Sequence, residues 1–229
     1  MTRWLICLCA ALWASASTAA CRQALVLGLD VSGSVDAVDY RLQLDGLANA
    51  LLHPEVQAAL LAMPSAPVRL TVFEWSGPTD QRLIADWIEI ASAADIAALS
   101  ARVRATQRGG GDPSTAIGAA TLYGAALLSA QTGCWKRTLD LSGDGKSNTG
   151  PHPRGATSQS LGGITVNGLV IAAMDRDLPE IGELNAYYNA YVKKGPDAFV
   201  ESALGFQDFE AAMVRKLKRE LMGLVVSQR

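Results

Sequence analysis

The sequence has 229 residues, of which 49% are hydrophobic, and its 20 basic and 22 acidic residues leave a formal net charge of −2. This balance excludes the extended basic surface by which many proteins bind nucleic acids, so no nucleic-acid partner is expected. The length suits one large α/β domain with a sizeable core better than two small domains.

The first 20 residues have the composition of a signal peptide. Arg3 supplies a positive charge, residues 4–13 are apolar, residues 14–20 are small, and none of these residues is acidic. We therefore predict cleavage before Cys21, a single domain at 21–229, and a periplasmic or secreted location.

No membrane anchor is expected from this leader. Its apolar stretch is shorter than the ~20 residues that a membrane-spanning helix needs. A lipid anchor on Cys21 is the alternative, but Thr18 stands where a large aliphatic residue would be expected in a lipoprotein.

Strands and helices alternate along the rest of the chain. Apolar runs bounded by turn residues predict strands at 24–29, 68–75, 83–90, 138–142, 164–172 and 198–203. Amphipathic or small-residue segments predict helices at 36–52, 92–106, 115–130, 178–194 and 207–224. Only residues 76–80 separate the second strand from the third, which predicts an antiparallel hairpin. We expect a doubly wound, Rossmann-like α/β fold: a mostly parallel six-stranded sheet, one antiparallel edge strand, and helices on both faces.

The helix pattern also assigns faces. Asp36 is expected to start the first helix, whose apolar positions are Val38, Leu42, Leu47 and Leu51. The solvated face of the last helix is expected to carry Lys216, Lys218 and Arg219.

Two cysteines remain after the predicted cleavage, since Cys7 and Cys9 lie in the leader. Cys21 and Cys134 each precede an apolar strand, and they stand at similar distances before Asp30 and Asp144. If the two strands are parallel neighbours, the sulfurs meet at one edge of the sheet, which predicts a disulfide consistent with export. Two unpaired buried thiols are the alternative.

Three oxygen-bearing side chains alternate after the first strand. Asp30, Ser32 and Ser34 occupy the positions i, i+2 and i+4, which point to the same side of an extended segment. Carboxylate and hydroxyl oxygens are ligands for a hard divalent cation such as Mg²⁺ or Mn²⁺. An ordinary polar turn is the alternative for this run taken alone.

Two later segments have matching chemistry. Thr115 opens a predicted helix directly after a glycine-rich loop, and Asp144 follows the strand at 138–142. Taken singly, the first fits a helix cap and the second a turn residue. In open α/β sheets, however, ligands bind at the carboxyl ends of the strands, where both segments are expected.

Together these segments resemble the von Willebrand factor type A (vWA) domain family. Its metal-ion-dependent adhesion site has Asp-x-Ser-x-Ser, a Thr in a second loop and an Asp, usually followed by Gly, in a third. The matching residues here are Asp30, Ser32, Ser34, Thr115 and Asp144. The resemblance covers nearly all of 21–229 and is closest in character to a bacterial exported branch of uncharacterised function. One departure is the third loop, which has Ser-Gly-Asp-Gly where many members have Thr-Asp-Gly.

The resemblance implies a metal-binding module rather than an enzyme. The five residues would hold a divalent cation, with Mg²⁺ favoured over Mn²⁺ or Ca²⁺ by the small number of protein ligands. A protein partner would complete the site with an Asp or Glu side chain.

Two alternatives stay open. A metal-dependent hydrolase or phosphatase would use Asp30 or Ser32 as nucleophile and His152 at the rim of the site, although no activated nucleophile is evident. A structural domain with a vestigial metal site is the other. The Gly-Lys-Ser at 145–147 does not make a phosphate-binding loop, because Asp140 stands where that pattern requires Gly.

Overall fold

A computed structural model describes residues 20–157, 159–172 and 178–222. Almost all of the predicted signal peptide therefore lies outside the described residues. The strands are β1 Cys21–Asp30, β2 Val68–Trp75, β3 Gln81–Ile90, β4 Cys134–Gly143, β5 Thr165–Ile171 and β6 Val200–Ala203. The helices are α1 Ala37–Leu52, α2 Pro54–Leu60, α3 Ala93–Ala105, α4 Ile117–Ser129, α5 Leu178–Tyr187 and α6 Phe209–Met222.

The sheet confirms the predicted α/β fold. Its order is β3-β2-β1-β4-β5-β6; β3 pairs antiparallel with β2 at one edge, and all the other pairs are parallel. From β1 the chain first builds the sheet outward through β2 and β3, and then returns to the other side of β1 with β4. The carboxyl ends of β1 and β4 are thus a topological switch point, where open α/β sheets bind ligands.

Helices cover both faces of the sheet because the central strands are apolar on both sides. On β1, Leu25, Leu27 and Leu29 face a core shared with α1, α3 and α6. Val26 faces the opposite core, which α4 helps to cover. Gly124 lets α4 approach closely, since a Cβ at that position would lie 2.4 Å from a methyl carbon of Leu139 on β4.

Local signals explain most of the helix boundaries. Asp36 caps α1 as predicted, accepting hydrogen bonds from the backbone N–H of Val38 and Asp39. The helix α2 was not predicted; it begins with Pro54, and the side chain of His53 accepts from the backbone N–H of Glu55.

Two predicted helix faces are wrong in part. Leu47 and Leu51 on α1 are buried as predicted, but Val38 is 65% exposed, and Tyr40 and Leu44 complete the buried face. Lys216 on α6 is fully buried rather than solvated, because it faces two buried carboxylates.

The structure contains the predicted disulfide. Cys21 and Cys134 stand directly opposite each other in the register of β1 and β4, with their Cα atoms 4.4 Å apart, and their sulfurs are bonded. The bond closes a long loop and so lowers the entropy of the unfolded chain. Within the part of the chain that the structure describes, no helix is long and apolar enough to cross a bilayer.

Candidate metal centre

Three loops meet at the switch point. Asp30 is the last residue of β1, Asp144 directly follows β4, and Thr115 lies two residues before α4. Thr115 is not the cap of that helix, since Ala116 holds that position and makes no side-chain capping bond. The side chain of Thr115 is therefore not committed to the helix.

Four of the five candidate residues are linked by hydrogen-bonding contacts. Ser34 Oγ donates to Asp144 Oδ1 over 2.6 Å, and the hydroxyl oxygens of Ser32 and Ser34 are 3.4 Å apart. The backbone N–H of Ser32 donates to Asp30 Oδ1 over 2.8 Å. The first and third loops thus bring two carboxylates and two hydroxyls to one place.

Thr115 is fixed beside the third loop by Asn148. The backbone N–H of Thr115 donates to Asn148 Oδ1, and the backbone N–H of Asn148 donates to the carbonyl of Thr115, both over 2.9 Å. A Cβ at Gly145 would lie 3.7 Å from Thr115 Oγ1, so the hydroxyl faces the loop that contains Asp144.

The two carboxylates are buried, and among the described residues neither forms an ion pair with Lys, Arg or His. Burial, together with the negative charge of Asp144, raises the pKa of Asp30 to about 7. Asp30 Oδ2 is buried and has no hydrogen-bond partner among the residues that the structure describes. A cation bound by the two carboxylates would relieve the repulsion between them.

The donor set fits a hard cation. All of the candidate ligand atoms are oxygens, and Ser34 is exposed, so the cluster is open to solvent on one side. Within the described ranges no three His, Cys, Asp or Glu side chains group as a metal site, so the hydroxyls are needed to complete this one.

A second layer of residues, which the sequence did not identify, supports the first loop. Arg108 donates hydrogen bonds to the backbone carbonyls of Val31, Ser32 and Val35. The backbone N–H of Gly33 donates to the carbonyl of Pro113 over 2.7 Å. The glycine-rich loop before Thr115 therefore holds the Asp-x-Ser-x-Ser loop in place.

Gln43, on α1, ties together the ends of the two central strands. It is fully buried, its Nε2 donates to the carbonyl of Asp30 over 2.9 Å, and its Oε1 accepts from Ser142 Oγ over 3.3 Å. A glutamine on the buried face of a helix was a usable signal, because such a side chain must find polar partners.

Replacement of Gln43 by Leu should loosen the site. Gln43→Leu leaves the carbonyl of Asp30 without this donor, so we expect the free energy of unfolding to fall by about 1–3 kcal/mol and Mg²⁺ binding to weaken. Urea unfolding and calorimetric titration measure the two effects. Gln57→Leu is the matched control, since Gln57 also donates to a carbonyl but lies at the surface. Equal losses in both variants would contradict the role of Gln43.

The residues that a hydrolase or a phosphate-binding loop would use make other contacts. His152 Nδ1 accepts from the backbone N–H of Arg154, and its ring packs against Tyr187 and Tyr191. Lys146 pairs at the surface with Glu183 over 2.9 Å, and a loop rather than a helix follows it. The segment that contains Lys146 therefore lacks the helix N-terminus that a phosphate-binding loop uses.

Comparison with known proteins gives a family and a fold. A family model described as "Protein of unknown function (DUF1194)" matches residues 20–225. No curated protein matches the sequence.

Three solved structures illustrate the fold. The pilus adhesin SpaC of Lactobacillus rhamnosus GG is 17% identical with a TM-score of 0.62, over 89% of this chain and 31% of SpaC. Proximal thread matrix protein 1 of the mussel byssus, with a zinc-occupied MIDAS motif, is 12% identical with a TM-score of 0.55, over 89% and 46%. A von Willebrand factor type A protein of Catenulispora acidiphila is 15% identical with a TM-score of 0.54, over 89% and 43%. The chain thus spans less than half of each, and the shared feature is the vWA fold.

Proposed function

The chain belongs to the DUF1194 family of proteins of unknown function, and from its vWA fold and its cluster of oxygen ligands we propose that it is an exported metal-dependent binding module. A divalent cation, with Mg²⁺ favoured over Mn²⁺ or Ca²⁺, would be held by Asp30, Ser32, Ser34, Thr115 and Asp144. The partner would be a protein that presents an Asp or Glu side chain. The observation that carries the proposal is the contact of Ser34 with Asp144 beside the buried carboxylate of Asp30.

Each residue has a role that follows from its position. A bound divalent cation supplies positive charge to which an acidic side chain of the partner can bind. Asp30 and Asp144 provide the negative charge that retains it, and the neutral hydroxyls of Ser32, Ser34 and Thr115 add ligands without adding charge. Because the three hydroxyls add no charge, the two carboxylates at most balance the charge of the cation, so the occupied site does not repel an acidic side chain, and the exposure of Ser34 leaves a direction of approach.

The fold relatives support this role without establishing it. One is named as a pilus adhesin, and another has zinc in its MIDAS motif. The predicted signal peptide and the disulfide between Cys21 and Cys134 support a periplasmic or secreted location, because such bonds persist in oxidising compartments. We propose that residues 21–229 form the exported domain.

Titration calorimetry with Mg²⁺ and then Mn²⁺ tests the metal site. We expect one site in the wild type and at least tenfold weaker binding in Ser32→Ala, equivalent to about 1.4 kcal/mol. Ser100→Ala is the matched control, because Ser100 is equally buried but donates to the carbonyl of Ala48 on α1 and to none of the candidate ligands. Absence of binding by the wild type would contradict the proposal.

Capture from the exported fraction tests the partner. The wild-type protein should retain a protein in Mg²⁺ and release it in EDTA, whereas Asp30→Ala should retain none in either condition. Partner variants with Asp or Glu replaced by amides should then fail to bind. Metal-dependent turnover of phosphate or ester substrates that Ser32→Ala abolishes would instead favour a hydrolase.

A further inference from the structure

Behind the metal-binding cluster lie three buried polar atoms that have no hydrogen-bond partner within the described part of the chain. They are Asp30 Oδ2, Tyr188 Oη and Trp75 Nε1. Each belongs to a fully buried residue. A buried polar atom left unpaired is costly, so each of these atoms is expected to have a partner.

Gly143 of β4 shows how close these groups are. A Cβ built on Gly143 would lie 2.5 Å from Tyr188 Oη, 2.8 Å from Asp30 Oδ2 and 3.4 Å from Trp75 Cζ2. Tyr188 Oη and Asp30 Oδ2 are therefore close enough for a single water to bridge them. Such a water would make one hydrogen bond of about 2.8 Å to each oxygen. A water has the capacity to bridge them, since it can accept from the tyrosine hydroxyl and donate to the carboxylate.

Two glycines and an irregular helix place Tyr188. The Tyr188 ring crosses Gly168 of β5, where a Cβ would lie 2.8 Å from the ring, and its hydroxyl then reaches Gly143 on the neighbouring strand. Tyr188 begins a π-helical turn, Tyr188–Val192, that ends α5. Such turns are often found at functional sites. Side chains larger than Gly at either strand position would displace the ring from Asp30.

We propose that Tyr188 is a positioning residue for the metal-binding carboxylate, acting on Asp30 Oδ2 through one buried water. This hydrogen bond would fix the rotation of the Asp30 carboxylate, while the backbone N–H of Ser32 fixes its other oxygen. The inference rests on the proposed function only in its consequence for metal affinity. The link between Tyr188 and Asp30 exists with or without a cation.

A double-mutant cycle in EDTA tests that link. Tyr188→Phe should lower the midpoint of urea unfolding in the wild type but not in Asp30→Ala, since the carboxylate is then already absent. If the hydroxyl has no partner, its removal should raise the midpoint equally in both backgrounds, and that result would overturn the inference. Tyr191→Phe is the control: Tyr191 belongs to the neighbouring aromatic cluster with His152 and should not couple to Asp30.

Metal affinity and a crystal structure supply the second readout. Tyr188→Phe should weaken Mg²⁺ binding about tenfold, the lower end for loss of an outer-layer hydrogen bond. A high-resolution structure should show a water between Tyr188 Oη and Asp30 Oδ2, and another partner for the hydroxyl would overturn the inference. If the wild type binds no Mg²⁺, the proposed function fails while the cycle still decides the link. If it binds Mg²⁺ and the cycle is additive, only the link fails.

Discussion

Asp30→Asn is expected to stabilise the metal-free protein and, at the same time, to abolish the stabilisation that Mg²⁺ gives the wild type. Without a cation, Asp30 is a buried carboxylate repelled by Asp144. The amide keeps the shape of the side chain and removes its charge. With a cation, the same charge is what retains it.

The difference in stability between Asp30→Asn and the wild type should depend on pH. Because burial and Asp144 raise the pKa of Asp30 to about 7, the folded state binds more protons than the unfolded state between about pH 4 and pH 7. The contribution of Asp30 to stability is therefore complete below this window and is lost as pH rises through it. In EDTA, Asp30→Asn should exceed the wild type in stability at pH 7.5, and the difference should shrink toward pH 4.

Saturating Mg²⁺ reverses the order at pH 7.5. A cation at 100 times its dissociation constant adds about 2.7 kcal/mol to the wild type, and it should add nothing to Asp30→Asn. Calorimetric melting in EDTA and in Mg²⁺ measures the stability of each protein without and with the cation. Asp86→Asn, at an exposed carboxylate, is the control. A variant that loses stability in EDTA and still gains it from Mg²⁺ would contradict the charge balance assigned to the site.

The sequence predicted the central sheet because its signals are local. The apolar runs of β1, β2 and β4 need no partner to be recognised, and the predicted disulfide between Cys21 and Cys134 depended on the β1–β4 pairing that the register shows. The face of α1 was harder. Val38 and Tyr40 were both eligible for the core, and Tyr40 is the buried one because its hydroxyl bonds Glu74 on β2.

The sequence predicted the candidate ligands of the site but not the residues that hold those ligands in place. Asp30 and Asp144 follow strands and can be found from strand pattern alone. Gln43 and Tyr188 act on atoms that are distant in sequence, the Asp30 carbonyl and the region of Gly143. Such pairs exist only after the sheet and helices have assembled, so no spacing in the chain indicates them.

The burial of Lys216 was likewise not predictable from the sequence, because its partners become its neighbours only in the folded protein. Its replacement gives the largest expected loss of stability. Its Nζ lies 3.0 Å from Asp140 Oδ1 on β4 and 3.1 Å from Glu220 Oε1 on α6, and all three residues are buried. Asn167 on β5 donates to Glu220 over 2.6 Å. Burial acts to lower the pKa of Lys216, but the two carboxylates raise it, so the ammonium is retained.

Lys216→Met should therefore destabilise the fold by about 3–5 kcal/mol at pH 7.5, because it leaves two buried carboxylates without a cation. Burial raises the pKa of Asp140 even though Lys216 opposes that shift, so without Lys216 the carboxyl should take up a proton more readily. The loss should accordingly be smaller at pH 5. Urea unfolding at the two pH values measures it.

Lys218→Met separates this effect from a general weakening of α6. Lys218 lies two residues further on and pairs with Glu55 at the surface, so its loss should change stability little at either pH. Adding Asp140→Asn and Glu220→Gln to Lys216→Met should recover part of the loss, because the uncompensated charges are then gone. Equal losses in Lys216→Met and Lys218→Met, or no recovery in the triple variant, would show that packing of the lysine stem rather than charge joins α6 to the sheet.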